Sequence, residues 1–140
     1  MPGIRLILWG VLLLSLGCGG VSDAPDRRIV KGSVTLNGKP LEGAAIRFLP
    51  QPMGPVAAGK VIKGMYEISN KGGVPLGKHR VEIKGTPILP DDTDGKSLGE
   101  IDAATKPAVP IPKKYHSKSE LEATVEAGNE PLIINFELKE

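Results

Sequence analysis

The sequence predicts an all-β fold, a seven-stranded antiparallel β-sandwich that follows an N-terminal signal peptide. Glycine (18) and proline (13) are abundant among the 140 residues, and both favour turns between short strands. Apolar and polar residues alternate with a period of two in several segments, which is typical of strands that bury one face. Since each such strand must cover its apolar side, the strands are expected to pack as two facing sheets.

The first 17 residues have the pattern of a signal peptide. Arg5 precedes an apolar run from Leu6 to Leu16. This run is shorter than the roughly 20 residues of a membrane span and suits the core of a signal peptide. Residues 18–27 are then expected to form a flexible polar tether, and residues 28–140 the folded domain.

Cys18 is the only cysteine, so an internal disulfide is excluded. The segment LLSLGCGG around it resembles the lipobox of bacterial lipoproteins, in which the cysteine is acylated and becomes the new N-terminus. The resemblance implies a lipid anchor at Cys18 and an exported domain that faces the periplasm or the cell surface. Gly19 implies sorting to an outer membrane where the host has one. Ser15 and Leu16 depart from the usual lipobox and leave ordinary signal-peptidase cleavage as an alternative.

The stretch from Gly32 to Pro50, GSVTLNGKPLEGAAIRFLP, predicts the first hairpin. Asn37-Gly38 is the strongest short signal for a type I′ turn, because both central residues of that turn need a positive φ. The alternation on either side of the turn predicts which residues point inward. They are Val30, Val34, Leu36, Ala44, Ile46 and Phe48.

Further strands are predicted wherever the alternation returns. They lie in AAGKVIKGMYEIS (57–69), KHRVEIKG (78–85), ELEATVEAG (120–128) and PLIINFELK (131–139). Lys63-Gly64 is expected to separate two short strands in the first of these segments. In the second, His79, Val81 and Ile83 are expected to face inward and Glu82 outward.

Residues 86–119 form a long proline-rich segment without sustained alternation. Within it, SLGEIDAAT predicts at most one or two helical turns. Loops of this length are uncommon in compact domains and are often functional or mobile.

Three segments carry a resemblance to a known family. VKGSVTLNGKPLEGAAIRFLP and GMYEISNKGGVPLGKHRVEIKG resemble carboxypeptidase regulatory-like domains. IPKKYHSKSELEATVEAGNEPLIINFELK resembles the C-terminal part of small bacterial lipoproteins that carry this domain. The resemblance implies a transthyretin-like sandwich of seven strands without catalytic residues or cofactors.

Candidates for catalysis are few. His79 and His116 are the only histidines, and the sequence contains no G-x-S-x-G turn that would expose a nucleophilic serine. His79 is expected to be a half-buried residue with a backbone partner. Transthyretin-like enzymes that hydrolyse 5-hydroxyisourate use several histidines and end in Tyr-Arg-Gly-Ser, whereas this chain ends in FELKE. A hydrolase is therefore disfavoured.

Residues 91–95 match part of the pattern of a calcium loop. DDTDG, residues 91–95, places Asp92 and Asp94 at the third and fifth positions of a calcium loop. Pro90 and Ile101 then occupy the first and twelfth positions, where carboxylates are required. A solvated acidic turn explains the segment equally well, and no metal is predicted.

A small basic patch is a possible contact loop. Lys113 and Lys114 precede Tyr115 and Lys118 follows it, and Tyr115 is expected to be the only exposed aromatic side chain. The formal charge of +2 is too small to indicate a nucleic-acid partner. Ordinary loop solubility is the alternative explanation of the patch.

These patterns together predict a non-enzymatic, lipid-anchored module of the bacterial cell envelope. Its expected partners are membrane lipid, through Cys18, and an envelope protein. The main alternative is a carrier or sensor of sugar or calcium that uses residues 86–119.

Overall fold

The computed structural model describes residues 25–90, 94–106 and 108–140. The predicted signal peptide and residues 18–24 of the predicted tether lie outside these residues. The described chain is mostly β. Its strands are β1 (Arg27–Arg28), β2 (Val30–Leu36), β3 (Lys39–Pro40), β4 (Ala44–Pro50), β5 (Ala57–Val61), β6 (Met65–Ile68), β7 (Val74–Pro75), β8 (Gly77–Gly85), β9 (Glu122–Val125), β10 (Leu132–Ile133) and β11 (Phe136–Leu138). A single α-helix, α1 (Leu98–Ala104), and two 3₁₀ turns, Asn70–Gly72 and Lys113–Tyr115, complete the described elements.

The strands pair into two main sheets and one short ribbon. The first sheet has the order β5-β4-β8-β9 and is antiparallel throughout. The second is centred on β2, which pairs antiparallel with β3 and β6 and parallel with β10 and β11. The ribbon consists of β1 and β7.

The prediction of seven antiparallel strands was wrong in the number of strands and in the direction of β10 and β11, which pair parallel with β2. The described residues contain eleven strands, because turns and an interrupted ladder divide the chain into short pieces. Between β10 and β11, for example, the backbone N–H of Ser33 donates to Oδ1 of Asn135 at 2.9 Å instead of to a carbonyl group. Both of these strands run parallel to β2, since the chain returns to β2 through a long connection and not through a hairpin.

The predicted turn at Asn37-Gly38 is confirmed, but the hairpin it closes is short. Both residues have a positive φ, 53° and 81°, as a type I′ turn requires. Only β3 returns along β2. At Gly43, where φ is 70°, the chain changes direction, and β4 joins the other sheet. The expectation that the hairpin extends to Pro50 was therefore wrong.

The pair of strands around Lys63-Gly64 is also divided between the sheets. β5 pairs with β4 and β6 pairs with β2, while an isolated bridge between Ile62 and Met65 joins the two strands directly. The two sheets are thus linked at this corner by a tight turn in which both Lys63 and Gly64 have a positive φ.

The core draws its side chains from both main sheets. Ala44, Ile46 and Phe48 of β4 are buried, as the alternation predicted. The Phe48 ring lies 6.3 Å from Tyr66 and 6.2 Å from Phe136, measured between ring centroids. Tyr66 and Phe136 belong to the β2-centred sheet, so these aromatic contacts join one sheet to the other.

The proline-rich segment 86–119 is partly folded onto the domain. Ile88 and Lys106 form a β-bridge, and Ile111 and Ser119 are buried. Helix α1 begins with a capping box, in which the side chains of Ser97 and Glu100 bond to each other's backbone N–H. The prediction of one or two helical turns is confirmed.

Replacing Gly32 by alanine is expected to destabilise the domain strongly. A Cβ at Gly32 would collide with the carbonyl oxygen of Ile134, which also accepts a hydrogen bond from the Tyr66 hydroxyl at 2.7 Å. The clash would separate the C-terminal segment from β2, at a cost of more than about 2 kcal/mol. Urea unfolding measures this loss.

Gly99→Ala is the matched control. Gly99 lies in α1 and has open space around the position of a Cβ, so alanine should leave the unfolding midpoint unchanged or raise it slightly. Equal midpoints for the Gly32→Ala variant and the unsubstituted protein would contradict the close approach at Ile134.

Candidate functional site

The predicted anchor residue and one of the two candidate calcium ligands lie outside the described residues. Cys18 and Asp92 both belong to segments that the structure does not describe. Asp94 is exposed, in a turn with Gly95, whose φ is 73°. Within the described ranges, no group of three or more His, Cys, Asp or Glu side chains is placed to hold a metal ion.

The two histidines lie on separate elements. His79 is in β8 and is fully buried, with Nδ1 3.0 Å from the carbonyl oxygen of Gly77. Its ring meets Phe48 edge-on at 6.0 Å. Nε2 has no hydrogen-bond partner among the described residues. His116 follows the 3₁₀ turn Lys113–Tyr115 and is half-buried.

Burial lowers the pKa of His79 from its ordinary value of 6.5, because the charged form loses its hydration; the backbone contact with Gly77 opposes this shift. The cross-strand neighbours of His79 are Pro50 and Ala123, neither of which carries a charge. A neutral histidine among apolar groups is suited to packing. The sequence placed His79 on the correct face, but the expectation of half burial was wrong, since the residue is fully buried.

The predicted contact loop forms one wall of a groove of about 610 Å³. Lys113, Lys114 and Tyr115 line it together with Lys118, Glu120 and Leu121. The structure therefore brings the predicted contact residues together with Lys118, the third lysine of the predicted basic patch. The groove is basic, because it contains three lysines and one glutamate.

Tyr115 is not the exposed aromatic side chain that the sequence suggested. It is half-buried and packs against the core. Its hydroxyl donates to the carbonyl oxygen of Lys139 at 3.0 Å and accepts from the Lys139 N–H at 2.9 Å. Lys114 Nζ lies 5.2 Å from the ring centroid. Both the hydroxyl and part of the ring are thus used to hold the loop to the C-terminal strand.

A buried ion-pair cluster on the first sheet escaped sequence analysis. Glu82 is only 3% exposed, although it points outward as predicted. Its carboxylate oxygens lie 3.3 Å from Arg47 Nη1 and 3.0 Å from Arg80 Nη2. The two arginine side chains cover the carboxylate from a neighbouring strand and from the same strand.

The missing information was the pairing of β4 with β8. Arg47 and Glu82 are directly opposite each other in the ladder, and cross-strand partners of opposite charge attract. Each strand taken separately shows only an outward-pointing charge. The spacing of Arg80 and Glu82, two residues apart in one strand, was the signal that could have shown a shared face.

Comparison of the chain with protein-family models, with curated proteins and with solved structures found no significant match. Among the helices of the described residues, none has the length and apolar character needed to span a membrane.

The burial of His79 predicts a loss of stability in mild acid. The unfolded chain takes up a proton near pH 6.5, whereas the folded chain resists protonation until a lower pH. The unfolded state therefore binds more protons below about pH 6.5, and the free energy of unfolding should fall there and stay level above it. Urea unfolding at a series of pH values measures this slope.

His79→Leu should make the slope below pH 6.5 shallower. His116→Gln, which removes the other histidine, outside β8, is the control. An unchanged slope in the His79→Leu variant would show that His79 is not the group responsible.

Tyr115→Phe should loosen the backbone at Lys139, near the C-terminus. The variant lacks the hydroxyl that bonds to both backbone groups of Lys139, so hydrogen exchange at the Lys139 amide should accelerate. Overall stability should fall by about 1 kcal/mol or less, since water replaces these exposed bonds. Lys114→Ala keeps the hydroxyl and should leave exchange at Lys139 unchanged; faster exchange there would contradict this assignment.

Proposed function

We propose that this protein is a lipid-anchored, non-enzymatic module of the bacterial cell envelope, with a structural or protein-binding role. The leader pattern and the LLSLGCGG segment around Cys18 support the anchor. In this proposal the acyl chains hold the domain at a membrane, and residues 19–27 let it move relative to the bilayer.

The domain itself is proposed to be a β-sandwich of the carboxypeptidase regulatory-like kind. The supporting observation is the common core, in which Phe48 of one sheet contacts Tyr66 and Phe136 of the other. Side chains that join two sheet faces in this way are typical of sandwich cores. This single observation carries the structural half of the proposal.

The polar side chains near the core favour a structural role over turnover. The Tyr66 hydroxyl bonds to a backbone carbonyl group, the Ser119 hydroxyl accepts from the Leu121 N–H, and Glu82 is held by two arginines. Nucleophilic catalysis requires a nucleophile, a base and an orienting group within hydrogen-bond reach of one another. These groups instead stabilise strands and loops.

The second candidate function is a carrier or sensor of small ligands. The groove at Lys113, Lys114 and Tyr115 favours it, because basic side chains beside an apolar wall suit an acidic sugar. Thermal-shift measurements with calcium and with cell-wall sugars discriminate between the candidates. A raised melting temperature with one ligand supports the carrier, and no shift with any of them supports the structural module.

Metabolic labelling tests the anchor. A chain expressed in bacteria fed an alkyne fatty acid should carry the label, and Cys18→Ser should abolish it, because the thiol is the acylated group. Ser15→Ala is the control, since it alters the leader but keeps the thiol. Equal labelling of the Cys18→Ser variant and the unsubstituted chain, or no labelling of either, would refute the anchor.

A further inference from the structure

The outward face of the first sheet concentrates positive charge. Buried side chains alternate with outward ones along β5, β4, β8 and β9. The charged outward side chains are Arg47, Lys60, Lys78, Arg80, Lys84, Glu82 and Glu122. We call this surface the basic face. Its five cations and two carboxylates leave an excess of three positive charges, whereas the whole chain has a formal charge of +2.

The charges of the basic face differ in how firmly they are held. Glu82 fixes both arginines, and Lys78 pairs with Glu122 at 3.0 Å on the surface. Lys60 and Lys84 are exposed and form no ion pair within the described part of the chain. They lie on either side of Ala45, which pairs with both, so their ammonium groups are available to an external anion.

Except for Leu49 on β4, the neutral outward side chains of the basic face are small. Ala45 and Ala58 separate the charged rows on β4 and β5, and Thr124 lies beside Lys78 on β9. No bulky aromatic side chain projects from the described strands of this face. A broad surface with long cationic side chains over short neutral ones fits an extended anionic surface better than a small ligand.

The outward face of the second sheet does not share this character. On β2, β3, β6, β10 and β11 its exposed charged residues are Lys31, Lys39, Glu67 and Glu137, whose charges sum to zero. Met65 and Ile133 are exposed there, at 59% and 65%. The two faces therefore differ in charge, and an anionic surface would orient the domain with the basic face towards it.

We infer that the basic face docks on the anionic phospholipid headgroups of the membrane to which the chain is anchored. The inference rests on the anchor proposed above, because the acyl chains hold the domain close to the bilayer. Each lysine or arginine near an anionic membrane surface contributes a modest attraction. Several such residues on one face suffice to orient a domain that a tether already confines.

The length of the tether agrees with this orientation. From Cys18 to Arg27 the chain can span at most about 30 Å, similar to the roughly 30 Å length of β8. The domain begins at β1, which pairs with β7 directly before β8. The tether thus enters at the Lys78 end of the basic face and is long enough for the whole face to reach the headgroups.

Lysine footprinting on vesicles tests the inference with the full chain. The protein is purified from bacterial membranes and reconstituted in vesicles of phosphatidylcholine, with or without phosphatidylglycerol. An amine-reactive acetylating reagent and mass spectrometry then report the reaction rate of each lysine. Phosphatidylglycerol should slow acetylation of Lys60, Lys78 and Lys84 but leave Lys31 and Lys39, on the second sheet, unchanged. About 1 M salt, where the Debye length is about 3 Å, should abolish the protection.

A double variant supplies the second readout. Lys60→Gln with Lys84→Gln should weaken the protection of Lys78 by about fivefold for each lysine removed. Lys31→Gln with Lys39→Gln removes the same charge from the second sheet and should keep the protection. Both pairs are exposed, and circular dichroism checks that each variant is folded.

Several results would overturn the inference. Equal acetylation of Lys60, Lys78 and Lys84 in the two kinds of vesicle would do so, and so would equal protection of Lys31. Protection of these lysines in native membranes but not in lipid vesicles would show that the basic face binds an acidic protein and not the lipid headgroups. Flotation of the vesicles tests the anchor separately. A chain without the anchor does not float with phosphatidylcholine vesicles, whether or not its basic face binds phosphatidylglycerol.

Discussion

The contact of Phe48 with Tyr66 and Phe136 is the interaction on which the two-sheet arrangement depends. Phe48 is fully buried in β4, and its two aromatic partners come from β6 and β11. Only four residues of the whole sequence are Phe or Tyr, and three of them meet at this point. Each large aromatic side chain buries considerable apolar area. Without them the sheets would be joined mainly by Val, Ile, Leu and Ala.

The small number of aromatic residues also explains the role of the polar side chains. A core built from few aromatics leaves the strand edges and the loop to be held by hydrogen bonds. The Tyr66 hydroxyl fastens the carbonyl group of Ile134 to the β2-centred sheet. Tyr115 does the same for Lys139 at the end of β11. On the opposite sheet, the carboxylate of Glu82 pairs with both Arg47 and Arg80 and offsets part of the repulsion between them.

Local features of the fold could be predicted from sequence, while long-range pairings could not. The alternation around Phe48 and His79 identified their buried faces, and Asn37-Gly38 identified a turn, because both signals depend on neighbouring residues alone. The transfer of β4 to the other sheet and the parallel pairing of β11 with β2 depend on competition between distant strands. The burial of Glu82 and of Tyr115 follows from such pairings, with Arg47 and Lys139 as the deciding partners. The signal peptide and the anchor at Cys18 stay predictions.

The parallel pairing of the last strand with β2 has a consequence for biosynthesis. Val34 and Phe136 are paired although they are far apart in the chain, and contacts of this kind form late in folding. The β2-centred sheet cannot be completed until the final residues have emerged from the ribosome. Until then the edge of β2 that pairs with β11 has no partner strand from this chain, and unpaired strand edges promote association between chains.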